Sequence, residues 1–322
     1  MKKKLTIGIL DFSGFIAKNA GGRRSRNEAD ILYEKVEELG HNPKLYKADE
    51  CQIFFDGEKT LLLEKNKPIE PCDVLIPRVD LAGRLDMELS ILKQFQLMDI
   101  PVVNGYLPTV RAKNKLRTIQ LLTEKAIPVP KTVVVRQFEY VDAAVKVLGG
   151  YPLILKSAFG SYGCGVVIVE SSRSLYSSLD LLGESTKTPL FLMQEFVEEA
   201  NGSDYRAFVI NNEVVASMQR QAKSGDFRSN LHLGGQAQKF ELTSEEKEIV
   251  LRAVKALGLQ VAGVDLLRSK NGPLVMEVNS NPGFIGLVEA TQVDVGKKFV
   301  EYAIEFAKSH LASKEKKQKI KA

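Results

Sequence analysis

The chain has 322 residues, 44% hydrophobic and 26% charged, an ordinary globular composition with room for two or three domains around real cores. No run approaches the roughly 20 apolar residues of a membrane span, so no membrane partner is expected. Most of the formal charge of +5 comes from Lys314, Lys316, Lys317, Lys319 and Lys321 near the end of the chain. The near-neutral remainder lacks the broad basic face of a nucleic-acid protein.

The opening MKKKLTIGIL starts like a signal peptide, but its apolar run stops at Asp11, too short for an h-region. Residues 5–10 are therefore expected to form a first buried strand. A helix over 28–39 and an extended stretch at 44–46 continue a βαβ pattern. Between strand and helix, Arg23, Arg24 and Arg26 form a basic loop on the edge where α/β sheets bind ligands. Asp56-Gly57 between apolar runs marks a hairpin within 51–63. A strand at 74–76, an amphipathic helix at 85–98 and a strand at 101–103 complete a small, mostly parallel domain. Asn104-Gly105 breaks the pattern. A helix over 113–125 follows, stopped by Ile127-Pro128-Val129-Pro130. Next come strand 132–135, helix 139–148 and strand 153–156. Strands at 190–194, 205–210 and 214–219, a helix at 244–257 and two acid-bearing strands lead to a last helix within 294–311. The lysine tail is expected to be solvated and frayed. The fold class is α/β (α+β), divided at 1–108, 109–193 and 194–322.

Two late strands carry the strongest chemical signal. In LVMEVNSNPG, Glu277 and Asn279 lie two apart, so a strand points both side chains to one face. In VAGVDLLR, Asp265 stands alone among apolar residues, a costly place for an acid without a cation or proton. Two carboxylates and an amide oxygen suit Mg²⁺, which commonly shares its shell with nucleotide phosphates. The plainer account is two buried acids satisfied by hydrogen bonds. His41, His232 and His310 are far apart and make a His-based zinc site unexpected. Cys51, Cys72 and Cys164 form no CxxC pair and fit a reducing cytoplasm.

LILKSAFGSYGCGVVIVE places Gly160, Ser161, Gly163 and Gly165 between two apolar strands, with Lys156 ending the first. The residues after Gly165 are β-branched, so this is a hairpin and not the strand-to-helix turn of a dinucleotide fold. No GK[ST] follows, which excludes a Walker loop. Such glycines let backbone N–H groups close around phosphate oxygens. The plainer account is a surface hairpin with a snorkelling lysine.

These pieces resemble the ATP-grasp superfamily, and more closely its RimK-type α-L-glutamate ligases. The matching segments are RAKNKLRTIQLL, GSYGCGVV, LMQEFVEEANGSDYRAFVI, RQAKSGDFRSNLHLGG, VAGVDLLR and LVMEVNSNPG. The resemblance implies an ATP-grasp fold behind an N-terminal small parallel-sheet (pre-ATP-grasp) domain, with ATP and two Mg²⁺ as cofactors and Mn²⁺ as a substitute. It implies that Lys115 and Lys156 face the nucleotide. Backbone groups of Glu195 and Phe196 would meet the base, and Glu199 or its neighbour Glu198 the ribose. By the same resemblance Asp204 would be the nucleotide-site acid, and Arg206 an anchor for phosphate or carboxylate. Arg228, Ser229 and Asn230 would line the active site, flanked by Arg220 and Lys223. Asp265, Glu277 and Asn279 would be the metal ligands, and Lys156, Arg206 and Arg228 would surround the transferred group. A plainer account makes Asp204 and Arg206 surface ion pairs, and Cys164 a space-filler.

The implied reaction is ligation of L-glutamate to an acceptor carboxylate through an acylphosphate, with the glycine loop closing to exclude water. The acceptor stays open: an acidic ribosomal-protein C-terminus, a peptide, a γ-glutamyl coenzyme or glutamate. Two features depart from the family pattern. The loop over 12–27 is long and basic, and Leu233 follows His232 where a basic residue is expected. A ligase for another amino acid and a non-catalytic nucleotide-binding regulator are the alternatives. A cytoplasmic homo-oligomer is a family expectation.

Overall fold

A computed structural model of the chain describes residues 4–12, 27–78, 85–157, 166–184, 191–223, 229 and 234–321. Strand β1 (Thr6–Asp11) is apolar on both faces because it is the centre of a parallel sheet. Helix α1 (Glu28–Glu38) opens on a reciprocal cap: Asn27 accepts from the Asp30 N–H, and Asp30 accepts from the Asn27 N–H. Strand β2 (Asn42–Lys47) pairs parallel with β1. The Asp56-Gly57 signal gives the expected hairpin of β3 (Cys51–Phe55) and β4 (Thr60–Glu64), to which β5 (Lys67–Pro68) adds. Strand β6 (Val74–Arg78) completes the order β2-β1-β6, and α2 (Leu85–Leu97) follows.

The expected strand at 101–103 is reduced to one parallel bridge between Val102 and Leu75. The chain turns aside there because Asn104 is drawn into the C-terminal sheet. Its amide donates to the carbonyls of Val261 (2.6 Å) and Ser280 (2.8 Å). Its Oδ1 accepts from the N–H groups of Gln260 (2.7 Å) and Val261 (3.0 Å). One buried side chain thus behaves as an extra strand peptide at the end of that sheet.

The single helix expected over 113–125 is two helices, α3 (Tyr106–Lys113) and α4 (Lys115–Glu124). Asn114 separates them in an extended conformation and caps α4 by accepting from the Arg117 N–H.

A four-stranded antiparallel sheet follows, built from β7 (Thr132–Val135), β8 (Leu153–Ser157), β9 (Val166–Val169) and β10 (Phe191–Glu195) in the order β7-β10-β8-β9. Strand β10 runs across the 193/194 division. Helix α5 (Val141–Leu148) begins after a 3-10 turn at Phe138–Tyr140, two residues later than its sequence pattern suggests. Helix α6 (Ser172–Glu184) is not anticipated, because its serines weaken the helical signal. It forms because Leu175 and Leu179, four apart, bury against this sheet.

The largest sheet is antiparallel, ordered β13-β12-β11-β14-β15. It comprises β11 (Ser203–Ile210), β12 (Glu213–Gln221), β13 (Gln236–Lys239), β14 (Val261–Ser269) and β15 (Gly272–Asn279). Helix α7 (Ser244–Leu257) matches its expected bounds, with a capping box between Thr243 and Glu246. Along β11, Tyr205, Ala207 and Val209 face the core under α7, while Phe208 and Ile210 face the core shared with β1 and α1. Two and four residues before Phe208 on that second face stand Arg206 and Asp204. One sheet face is therefore apolar where it packs on the N-terminal layer and charged where it opens on the site.

Helices α8 (Ile285–Thr291) and α9 (Val295–Lys321) end the fold. Phe299, Val300, Ala303 and Ile304 of α9 join the core with α1 and β6. The lysine tail is the last part of α9, not a frayed segment. Its residues are strong helix formers, and Lys314 Nζ reaches the Asp99 carboxylate at 2.5 Å. Lys316, Lys317 and Lys319 are exposed. No helix among the described residues is long and apolar enough to cross a membrane.

Candidate active site

A cavity opens between the four-stranded and five-stranded sheets, with α4 contributing Lys115, Thr118 and Ile119. Strand alternation supplies one wall. Leu153, Leu155 and Met193 bury on the far face under α5 and α6, so Ile154, Lys156, Leu192 and Gln194 face the cavity. Lys156 Nζ donates to Gln194 Oε1 at 2.7 Å, and Gln194 Nε2 donates to Thr132 Oγ1 at 2.8 Å. The Thr132 hydroxyl in turn donates to the Pro130 carbonyl at 2.9 Å. Because that hydroxyl proton is committed, Gln194 must present its NH₂ to Thr132 and its oxygen to Lys156. Burial lowers the Lys156 pKa to about 8; Glu277 opposes the shift and Lys115 adds to it. Gln194 was not assigned from sequence. Its signal was a lone amide after three apolar residues; it pairs with Ile154, on the same sheet face as Lys156.

The opposite wall is a charged ladder fixed by register. Asp204 on β11 lies opposite Arg220 on β12, Arg206 on β11 opposite Asp265 on β14, and Asp265 opposite Glu277 on β15. Arg220 grips Asp204 with two hydrogen bonds of 2.6 Å and reaches Asp265 Oδ2 at 2.8 Å. Arg206 grips Asp265 with two of 2.7 Å. The Ser229 hydroxyl donates to Asp204. The surface-ion-pair account fails: the Asp204, Arg220 and Asp265 side chains are 4%, 3% and 3% exposed. Nor do Asp204 and Arg206 pair with each other, because neighbours two apart on a strand are farther apart than cross-strand partners. Arg220, read from sequence as a flanking residue, is the centre of the network.

Burial pushes the Asp265 carboxyl up, but the Arg206 and Arg220 guanidiniums outweigh it and hold the group far below the usual carboxylate range. Asp204 has one guanidinium where Asp265 has two. Burial pushes it up, Arg220 pulls it down, and the charge of Asp265 adds to the rise.

Glu277 and Asn279 share a face of β15, directly across from the strand that carries Asp265. A bulge after Asp265 shifts the register by one residue there, as is common beside active sites. Asn279 Oδ1 also accepts from the Asn281 N–H at 2.9 Å. This oxygen donor set fits a hard divalent cation. Among the described residues, no group of three or more His, Cys, Asp and Glu side chains converges as a metal cluster.

The Glu195 carboxylate accepts from the Lys131 N–H, and the Glu195 N–H donates to the Lys131 carbonyl. The Glu195 N–H is thus committed to the chain beside it. Phe196 and Asp204 also border the cavity, while Glu198 and Glu199 are exposed on a 3-10 turn. Ser229 is held against Gly235, where a Cβ would lie 2.6 Å from the Ser229 carbonyl oxygen. Gly160, Ser161, Gly163, Cys164, Gly165, Arg228, Asn230, His232 and Leu233 lie outside the described residues, as do Arg23, Arg24 and Arg26.

Known proteins share this sequence pattern and fold. Residues 112–303 match the model of the RimK-like ATP-grasp domain and 23–106 that of the RimK PreATP-grasp domain. A probable alpha-L-glutamate ligase of Trichodesmium erythraeum is 39% identical over 271 residues, covering 84% of this chain and 90% of that protein. Another, from Methanococcoides burtonii, is 40% identical over 272 residues, covering 84% and 89%. A RimK domain ATP-grasp protein from Sphaerobacter thermophilus superposes with a TM-score of 0.69 at 20% identity, covering 92% of this chain and 99% of that one. The ATP-grasp ligase PsnB, solved with a phosphomimetic variant of its minimal precursor, Mg and ADP, superposes with a TM-score of 0.68 at 17% identity, covering 94% and 99%. The fold, the charged ladder and these matches make the chain a member of the RimK-like ATP-grasp family of C–N bond-forming ligases.

Proposed function

We propose that this enzyme uses ATP and Mg²⁺ to join L-glutamate to the carboxylate of an acidic acceptor. The observation that carries the reading is the opposition of Lys156 to Asp265 and Glu277 across one cavity, with Asn279 on the Glu277 face of its strand. A buried ammonium on one wall and hard oxygen donors on the other suit a nucleotide polyphosphate and its cation. Lys115, Lys156, Phe196, Asp204 and Ser229 would hold the nucleotide with the glycine loop, Arg228 and Asn230. Asp265, Glu277 and Asn279 would hold one or two Mg²⁺, replaceable by Mn²⁺. The cation supplies charge neutralisation on the phosphates.

A free carboxylate acylates poorly because oxide would have to leave. In the proposed reaction an acceptor oxygen attacks the γ-phosphorus of the co-substrate and ADP departs. The glutamate amine then attacks the acyl carbon, the amine loses a proton and orthophosphate leaves. The protein's part is positioning and charge stabilisation. Gln194 aims the Lys156 ammonium, which holds its proton at Nζ below its pKa of about 8. Arg228 belongs beside the transferred group in this reading. The basic residues Arg23 and Arg24 draw in an acidic acceptor, such as a ribosomal-protein C-terminus or a peptide. A homo-oligomer in the cytoplasm, and the division at 1–108, 109–193 and 194–322, belong to the same proposal.

The test is competition. The enzyme receives ATP, Mg²⁺, all twenty amino acids and an acidic-tailed peptide, and products are identified by mass spectrometry. Addition of glutamate with release of ADP and phosphate is expected. Ligation of another amino acid would refute the glutamate assignment, and AMP with pyrophosphate would refute the acylphosphate route.

A further inference from the structure

We infer that Arg206 is an internal counter-cation that occupies the metal acid Asp265 and makes cation binding there conditional on nucleotide. The inference rests on the proposed metal role of Asp265, Glu277 and Asn279. A carboxylate has about four acceptor positions. Three at Asp265 are taken: Oδ1 by Arg206 Nε, and Oδ2 by Arg206 Nη2 and Arg220 Nη2. Among the described residues, what remains for a cation is one position on Oδ1, the oxygen held there by Arg206 alone.

Charge leads to the same conclusion. Asp204 and Asp265 carry two negative charges, and Arg206 and Arg220 carry two positive charges within 2.6–2.8 Å. The quartet is balanced before any metal arrives. Glu277 is the remaining acid of the proposed set, and it faces the Lys156 ammonium closely enough to hold up its pKa. A bare divalent ion therefore meets almost no net field on entering a partly desolvated site, and losing its water is costly. Nucleotide phosphates would bring the negative charge that the wall lacks.

Arg206, and not Arg220, is the removable partner. The Arg220 side chain is 3% exposed and committed to Asp204 through Nε and Nη2. The Arg206 side chain is 15% exposed, and its Nε and Nη2 both donate to Asp265. Deleting the Arg206 charge would leave two acids sharing one guanidinium, and the wall would then attract a cation by itself. Arg206 is in this sense a positioning residue that sets the order of loading.

The experiment measures free Mn²⁺ by electron paramagnetic resonance while wild type, Arg206→Met, Arg206→Gln and Arg206→Lys are added, first without nucleotide and then with ADP. Without nucleotide, the Met and Gln variants should bind Mn²⁺ at least about tenfold more tightly than wild type, because one unit charge a few ångströms away is worth more than that in this setting. The Lys variant should stay near wild type. Adding Glu277→Gln to either neutral variant should abolish the gain. Circular dichroism checks folding, and the Met and Gln variants back each other if one unfolds. Unchanged or weaker nucleotide-free affinity in the folded neutral variants would overturn the inference and leave the metal reading standing. If Glu277→Gln does not weaken Mn²⁺ uptake in the presence of ADP, the metal reading falls and the inference with it.

Discussion

Asn104→Ala offers a test of how the N-terminal layer holds the five-stranded sheet. Asn104 is 2% exposed and makes four hydrogen bonds of 2.6–3.0 Å, to Gln260 N, Val261 N, Val261 O and Ser280 O. Each contributes about 1 kcal/mol net, so truncation should cost about 4 kcal/mol, more if the stranded backbone groups stay dry. For 322 residues, an unfolding entropy of about 2.1 cal/mol/K per residue converts that to a fall in Tm of roughly 6 °C. Asn104→Asp keeps the two accepted bonds but loses both donated ones and turns a carboxylate toward two carbonyls, so it should be no milder. Calorimetry and far-UV circular dichroism measure the loss. Because Asp265 stands four residues after Val261 and Asn279 immediately precedes Ser280, the surviving folded fraction should also turn over more slowly at low temperature. A drop in Tm below about 2 °C for Asn104→Ala, well under what four such bonds imply, would refute the view that this side chain closes the sheet.

Other outcomes follow from the cavity walls. Glu277→Gln and Asp265→Asn should each lower turnover by at least about 10²-fold, measured as ADP release; Asp265→Ala is a poorer probe, because stranding Arg206 and Arg220 should cost about 3–5 kcal/mol of stability. With its folded pKa lowered to about 8, Lys156 is charged below and neutral above that value in the nucleotide-free enzyme. ADP affinity should therefore weaken as pH rises through about 8, and calorimetric titration showing flat affinity from pH 7 to 9.5 would contradict the assignment. Gln194→Glu should move that break upward, since a carboxylate beside Lys156 favours the ammonium. Gln194→Leu should weaken ADP binding by about tenfold through loss of one charge-assisted hydrogen bond.

Much of this architecture was legible because it is written in local periodicity. The helix at 244–257 shows its capping pair, Thr243 and Glu246, together with its apolar stripe. The hairpin at Asp56-Gly57 carries its own turn chemistry: Asp56 accepts from the Glu58 and Lys59 N–H groups. Other features depend on contacts remote in sequence. Val102 has the residue types of a strand, but Asn104 is drawn to partners 157 and 176 positions away. The serine-rich helix at Ser172–Glu184 exists because a sheet lies beneath Leu175 and Leu179. The lysine tail is polar enough to fray, and is helical here as an extension of a helix already docked by Phe299 and Val300.

The site divides along the same line. Glu277 and Asn279 reveal their shared face through a spacing of two within one strand. Arg220 hides its role because its partners, Asp204 and Asp265, come from two other strands, and only the order β12-β11-β14 brings all three together. A basic residue at the end of a strand reads as a flank until that order is known. The order also explains why charges can persist so deep in this sheet. Each buried acid is met by a guanidinium from a neighbouring strand at hydrogen-bond distance, which compensates the desolvation that an isolated carboxylate would suffer. Removing any one member exposes the cost borne by the others. Substitutions within the ladder should therefore be strongly non-additive: Asp204→Asn combined with Arg220→Met should destabilise less than the sum of the two single changes.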